Sequence, residues 1–331
     1  MTNSERRPQD GDCAVATLDD GVEVIEPRDV PLGGPRAMTV RRTLPSWRRS
    51  LIGAFCFADH YGPDAVAATG GMDVPPHPHT GLQTVTWLFE GRVLHRDALG
   101  SEQEIRPGQL NLMTAGHGVC HSEEGTVRLF PDQRRLHGVQ LWTALPEATR
   151  HGERAFEHVA EVPTFDADGA RVQVVMGTLG GATSPARADT PLVAAQVDLP
   201  AGARVRLPVE RGFEHGVLLD AGELTACGAP LAPAALAYLA PGRDAVDLVA
   251  GDAGARLVLL GGAPFEEDVL MWWNFVGREH DEVVQAREQW QAAIRGEPEG
   301  LARFGRVDGY DGAPLPAPAL PHVRLRPRGR L

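Results

Sequence analysis

The strongest constraint on this chain is how often its apolar stretches are interrupted. Runs such as Thr84–Glu90, Leu110–Thr114, Val139–Trp142, Val172–Met176, Val193–Leu199, Gly216–Leu219 and Arg256–Leu260 are rich in valine and leucine and end at turn-forming residues. A run of about four to eight residues bounded in this way suits a strand better than a buried helix. The 38 glycines and 27 prolines among 331 residues cut short any longer element. An all-β sandwich or barrel architecture is expected. No apolar run reaches the length that would cross a bilayer as a helix.

The chain also repeats itself. Ile105–Gly116 can be laid on Leu231–Gly242, and Trp87-Leu-Phe-Glu-Gly91 on Leu218-Leu-Asp-Ala-Gly222. Two β-barrel domains in tandem are therefore expected, over residues 1–150 and 151–276, with a C-terminal part over 277–331. One helix is expected from Glu279 to Arg295, where Val283, Ala286, Trp290 and Ala293 recur at helical spacing before Gly296 and Pro298. The preceding Trp272-Trp273-Asn274-Phe275 is too apolar to stay in water and should pack on a domain. Beyond Gly300 the Pro/Gly-rich sequence, ending in a basic stretch from His322 to Leu331, is expected to be a loosely held, solvated tail.

Chemistry concentrates in two short motifs. In Pro75-Pro-His77-Pro-His79-Thr-Gly81, a strand would turn both histidines to one face, because side chains two residues apart share a side. In Gly116-His-Gly-Val-Cys-His121-Ser-Glu123, His121 and Glu123 stand in the same relation. Facing each other across a barrel, they would form a site of three imidazoles and one carboxylate. Such a set suits a borderline divalent ion: iron, manganese, cobalt, nickel, copper or zinc. The second half carries Asp247 and Val249 at the positions equivalent to His121 and Glu123, and no histidine in Pro208–Glu210, so only the first domain should bind metal. His215 reads as a structural or surface residue. Asp59 and His60 read as a turn network, Cys120 as a small residue on the strand face opposite His121, and Met113 and Trp87 as core. His95 and Asp97 are candidates to brace a ligand from behind, and His117 to line the pocket mouth.

Taken in order, Arg41-Arg-Thr-Leu-Pro45, Gly53–Pro63, His77–Val85, His95-Arg-Asp97, Met113–Gly116, His121-Ser-Glu123 and His137–Trp142 resemble the pirin family. The match is dense from about Arg41 to Pro146 and only general beyond. The resemblance implies a bicupin, two jelly-roll β-barrels, with one iron(II) in the first. Its four ligands map onto His77, His79, His121 and Glu123. It also implies quercetin 2,3-dioxygenase chemistry on a flavonol and O₂, with Glu123 as general base for the 3-hydroxyl proton. The alternative is a metal-dependent regulatory protein acting through a protein partner; a third reading is Lewis-acid catalysis by a cupin. Many pirins have arginine where this chain has Thr80, and FET where it has Leu82-Gln83-Thr84, so the pocket wall and substrate choice are expected to differ.

Charge and cysteine usage narrow the setting. A net charge of −12 argues against a nucleic-acid binder, since an acidic surface repels polyanions. Met1–Val15 lacks the apolar core of a secretory signal, and the four cysteines form no CxxC pair. A cytoplasmic location, away from the membrane, is expected.

Overall fold

The computed structural model describes residues 15–17, 21–32 and 38–329. Every apolar run singled out above lies in a strand, and the strands form two barrels packed side by side. The first barrel has a seven-stranded sheet, in the order Ala155–Val159, Leu110–Thr114, Leu82–Glu90, Arg135–Ala144, Phe55–Ala65, Thr39–Leu44, Arg28–Pro31. A four-stranded sheet faces it, in the order Gly71–His79, Val119–Thr126, Val93–Asp97, Glu102–Ile105. The second barrel is built from one eleven-stranded sheet. Strand pairing crosses the division expected at residue 150 in both directions. Val15–Thr17 and Glu23–Ile25 join the second-barrel sheet through Leu236–Leu239, and Ala155–Val159 pairs with Leu110–Thr114 of the first.

Alternation along single strands sets what each face does. On Leu82–Glu90, Val85 and Trp87 enter the apolar layer between the barrels, against Val175, Met176, Leu218, Val258 and Leu260. Thr84 and Thr86 turn to the other face, toward the interior of the first barrel. The Trp87 indole N–H donates across the interface to Gln196 Oε1 at 2.7 Å, so the buried ring keeps a partner. The second barrel's own core, from Val172 and Val197 to Leu257 and Leu259, is apolar. Asp247, the counterpart of His121, pairs at the surface with Arg206.

The helix forms as its periodicity predicts, over His280–Ile294, with Asp281 and Glu282 in the first turn where the helix dipole favours them. Val283, Ala286, Trp290 and Ala293 are its buried stripe. A second, short helix at Pro298–Phe304 packs on it. Gly300 makes that approach possible, because a Cβ there would lie 2.2 Å from Ala293 N. The C-terminal stretch departs from expectation. Far from being a solvated tail, it straps the outside of the four-stranded sheet: Phe304, Val307, Ala317 and Leu325 are buried with Cys120 and Trp290. Tyr310 O–H donates to Asp73, Leu315 N–H to Pro76 O, and Val269 and Arg328 exchange backbone hydrogen bonds. Composition suggested disorder; five aromatic rings of the Trp272–Phe304 region, needing cover, supply the reason for order.

Candidate metal centre

Gly71–His79 is an edge strand, and there Pro75, Pro76 and Pro78 cost no ladder hydrogen bonds on the open side. Its register with Val119–Thr126 sets His77 directly opposite His121, and His79 opposite Val119. The outcome is a compact group. The rings of His77 and His121 are centred 4.4 Å apart, and each lies 5.0 Å from that of His79. One ring nitrogen of each falls within 4.8 Å of the other two, and all three residues are fully buried. Cys120 points to the opposite face, as alternation requires, and burial pushes its thiol up to about 12.

The hydrogen bonds behind the rings decide which nitrogens face inward. His77 Nδ1–H donates to Pro75 O at 2.8 Å, and His79 Nδ1–H donates to Asn274 O at 3.2 Å. A carbonyl only accepts, so both rings carry their proton on Nδ1 and keep a lone pair on Nε2. His121 Nδ1 lies 3.3 Å from His95 Nδ1, and His95 Nε2 lies 3.0 Å from Asp97 Oδ2. His79 Nε2 and His121 Nε2 approach to 3.1 Å. Burial, then the neighbouring His77, holds both His79 and His121 well below the usual imidazole range, so they are neutral. Neutral imidazoles converging through lone pairs repel one another unless a cation lies between them; the donor set fits a borderline divalent metal.

Glu123 shares the face of His121 and is buried, but it is not among the nitrogens gathered at this point. Its Oε1 lies 3.4 Å from Thr86 Oγ1, whose hydroxyl is also 3.0 Å from Gln140 Oε1. Tyr61 is close enough that burial first, and the Glu123 charge second, push its phenol well above the usual range. Tyr61 Oη, Gln140 Nε2 and Trp142 Nε1 are buried without a hydrogen-bond partner among the described residues. Trp142 stands edge-on to His79 at 5.0 Å and stacks on Phe57 at 3.9 Å. Those three donors are the kind of unused capacity that water or an oxygen-rich ligand takes up.

His95 and Asp97 form a row behind the His121 ring. Burial alone would raise the Asp97 carboxyl, but the His95 imidazole and the N–H groups of Leu99 and Ser101 hold it below its usual value. His117 lines a narrow cleft with Thr80, Arg150, His151, Phe275 and Arg303, beside the chain that carries His79. His215 is fully buried, not at the surface, and burial lowers its imidazole to about 4. Asp59 makes a buried pair with Arg42 at 2.6 Å, more than a turn network.

A second histidine group was not anticipated. His60 Nε2 and His137 Nε2 lie 2.6 and 2.7 Å from Asp220 Oδ1, between the barrels. Arg256 Nε holds the other carboxylate oxygen at 2.5 Å, and Arg41 donates to His60 Nδ1 at 2.8 Å. Guanidinium only donates, so the His60 proton sits on Nε2 and goes to Asp220. A cation there would displace that proton and turn an Nδ1–H against Arg41. This group is a hydrogen-bonded clasp. Its members are scattered through the sequence, and only cross-strand pairing of Arg41 with His60 could have hinted at it.

Comparison with known proteins gives a consistent outcome. Residues 37–143 match the Pirin family, and residues 194–295 match the Pirin C-terminal cupin domain. A Pseudomonas aeruginosa protein whose name gives quercetin 2,3-dioxygenase as a provisional activity is 44% identical over 297 residues, covering 90% of each chain. A Caulobacter vibrioides pirin-like protein is 35% identical, covering 84% of this chain and 94% of its own. The crystal structure of a quercetin 2,3-dioxygenase from Acinetobacter baumannii superposes with a TM-score of 0.84 at 38% identity, covering 92% of this chain and 97% of that one.

Proposed function

This chain belongs to the pirin family, and from that premise we propose that it is a metal-dependent dioxygenase acting on flavonols such as quercetin. His77, His79 and His121 would hold one divalent transition metal, iron(II) in this reading, with Glu123 as a fourth ligand that loosens from the metal to serve as general base. The observation that carries the proposal is the inward set of imidazole lone pairs, fixed from behind by Pro75 O, Asn274 O and His95. When bound, the metal supplies Lewis acidity and a redox partner for O₂.

The chain's own residues supply the rest. Glu123 accepts the 3-hydroxyl proton of the flavonol, and Thr86, within reach of both Glu123 and Gln140, steadies the carboxylate. Tyr61, Gln140 and Trp142 offer hydrogen-bond donors to the substrate's oxygens. Trp142 and Phe57 add an apolar wall that excludes water. With the imidazoles fully buried, substrate enters by displacing side chains, and the cleft at Thr80 and Phe275 is the described opening beside the site. A cytoplasmic location is part of the reading; Cys56, Cys120 and Cys227 are buried and unbridged, while Cys13 lies outside the described residues.

The test is oxygen consumption and loss of quercetin absorbance by protein loaded anaerobically with iron(II). The wild type should turn over and a His121→Ala variant should not. Equal, background rates for both would overturn the assignment.

A further inference from the structure

Behind His121 runs a chain of three side chains that ends in a fixed anchor. Asp97 Oδ1 accepts N–H bonds from Leu99 at 2.8 Å and Ser101 at 3.1 Å, within the turn that joins Val93–Asp97 to Glu102–Ile105. That leaves Oδ2 as the oxygen at His95 Nε2, 3.0 Å away. A carboxylate has no proton to give, so His95 carries its proton on Nε2 and presents a lone pair on Nδ1. At 3.3 Å, that lone pair takes the Nδ1–H of His121. His95 itself is held flat against Phe156, with ring centres 4.4 Å apart and planes 17° from parallel.

We propose that Asp97 and His95 are positioning residues that set the tautomer of His121, so that its Nε2 lone pair is delivered to the metal. The order Asp97, His95, His121 works in one direction only: each proton is pinned by the acceptor behind it, and the last link in the row is the metal-facing nitrogen. His77 and His79 are set by backbone carbonyls, which no side-chain substitution alters; of the three imidazoles His121 alone depends on side chains, so it is the imidazole most open to tuning. The proposal rests on a metal at the three-histidine site, but the tautomer it invokes exists without one.

Asp97→Asn gives the sharpest test. The isosteric amide must turn its oxygen to the Leu99 and Ser101 N–H groups, which places its NH₂ at His95 Nε2. His95 then carries its proton on Nδ1 and donates to His121, whose own proton moves to Nε2 and blocks the metal. Nitrogen-15 imidazole shifts of the metal-free protein should show His121 protonated on Nδ1 in the wild type and on Nε2 in the variant. Chelator competition with cobalt(II) should show affinity falling about 10- to 100-fold, the usual cost of losing a partner behind a ligand. His95→Gln can accept from His121 with Oε1 and donate to Asp97 with its amide, so it should keep the Nδ1–H tautomer and bind within about threefold of wild type. His95→Phe keeps the stacking on Phe156 but removes the acceptor, and should weaken cobalt binding as Asp97→Asn does. An unchanged His121 tautomer in Asp97→Asn overturns the proposal, as does a wild-type His121 protonated on Nε2. If the wild type took up no cobalt, the metal reading would fall, while the tautomer measurement would still decide this one.

Discussion

Strands of the first barrel carry two groups of buried histidines, and they are opposites. At His77, His79 and His121 the protons are all drawn outward, to Pro75 O, Asn274 O and His95, leaving lone pairs pointed at one another. At His60 and His137 the protons are drawn inward, to one oxygen of Asp220, which Arg256 also holds. Clusters of similar composition therefore differ in what they can take up. The first has room for a cation in its bonding; the second has already spent its lone pairs and its charge. What separates a metal site from a structural clasp is the set of acceptors behind the rings, more than the rings themselves.

Removing the anion of the clasp should have the largest effect. Asp220→Ala leaves Arg256 and two imidazoles without their common partner, and breaking a buried pair in this way costs about 3–5 kcal/mol. Urea unfolding should show that loss, while metal uptake per folded molecule stays at the wild-type value. A drop in metal uptake would break the comparison. The mirror experiment is His121→Ala, expected to weaken metal binding by more than about 100-fold, beyond the loss from an outer partner. Its urea midpoint without metal should change far less than that of Asp220→Ala.

Acid should separate the groups in a graded way. Burial holds His60 below its ordinary value of 6.5, with Asp220 opposing, and Asp220 itself lies below its ordinary 3.8 through its bonds to His137 and His60. A depressed value in the folded state means that the unfolded chain binds protons first. The stability contributed is complete above the ordinary value and is lost as pH falls below it. Metal-saturated protein should thus lose stability as pH falls below about 6.5, and His60→Gln should flatten that slope. The smallest effect is expected at His215, which neither binds nor clasps. Both of its ring nitrogens are buried without a hydrogen-bond partner among the described residues. His215→Leu should raise stability by about 1 kcal/mol at neutral pH in a calorimetric scan, since it removes a desolvated polar group.

Much of this was legible in the sequence, for reasons that can be named. His77 and His79, like His121 and Glu123, are two residues apart on strands, so local geometry alone put each pair on one face. The helix at His280–Ile294 was visible because Val283, Ala286, Trp290 and Ala293 fix a period. By contrast, the clasp joins His60, His137 and Asp220 across two barrels, and no local pattern encodes a contact that depends on how barrels dock. The Asn274 carbonyl was invisible because a backbone acceptor leaves no trace in residue type. Nor did composition foretell that residues beyond Gly300 would be ordered, since part of their cover comes from Cys120, far away in the chain.

That carbonyl carries a consequence for biosynthesis. Phe275 runs beside Thr80, Val276 N–H donates to Thr80 O, and Gly81 is so close to Val276 O that a Cβ there would lie 2.1 Å from it. The segment that orients His79 is thus made almost two hundred residues after the histidine it serves, a separation of 195 positions. A nascent chain leaving the ribosome passes through a long interval with the strands of its first barrel made and the His79 ring without this acceptor. A chain cut short before Asn274 would lack the acceptor that fixes the His79 tautomer, and is expected to take up metal more weakly than the full chain however well its first barrel folded.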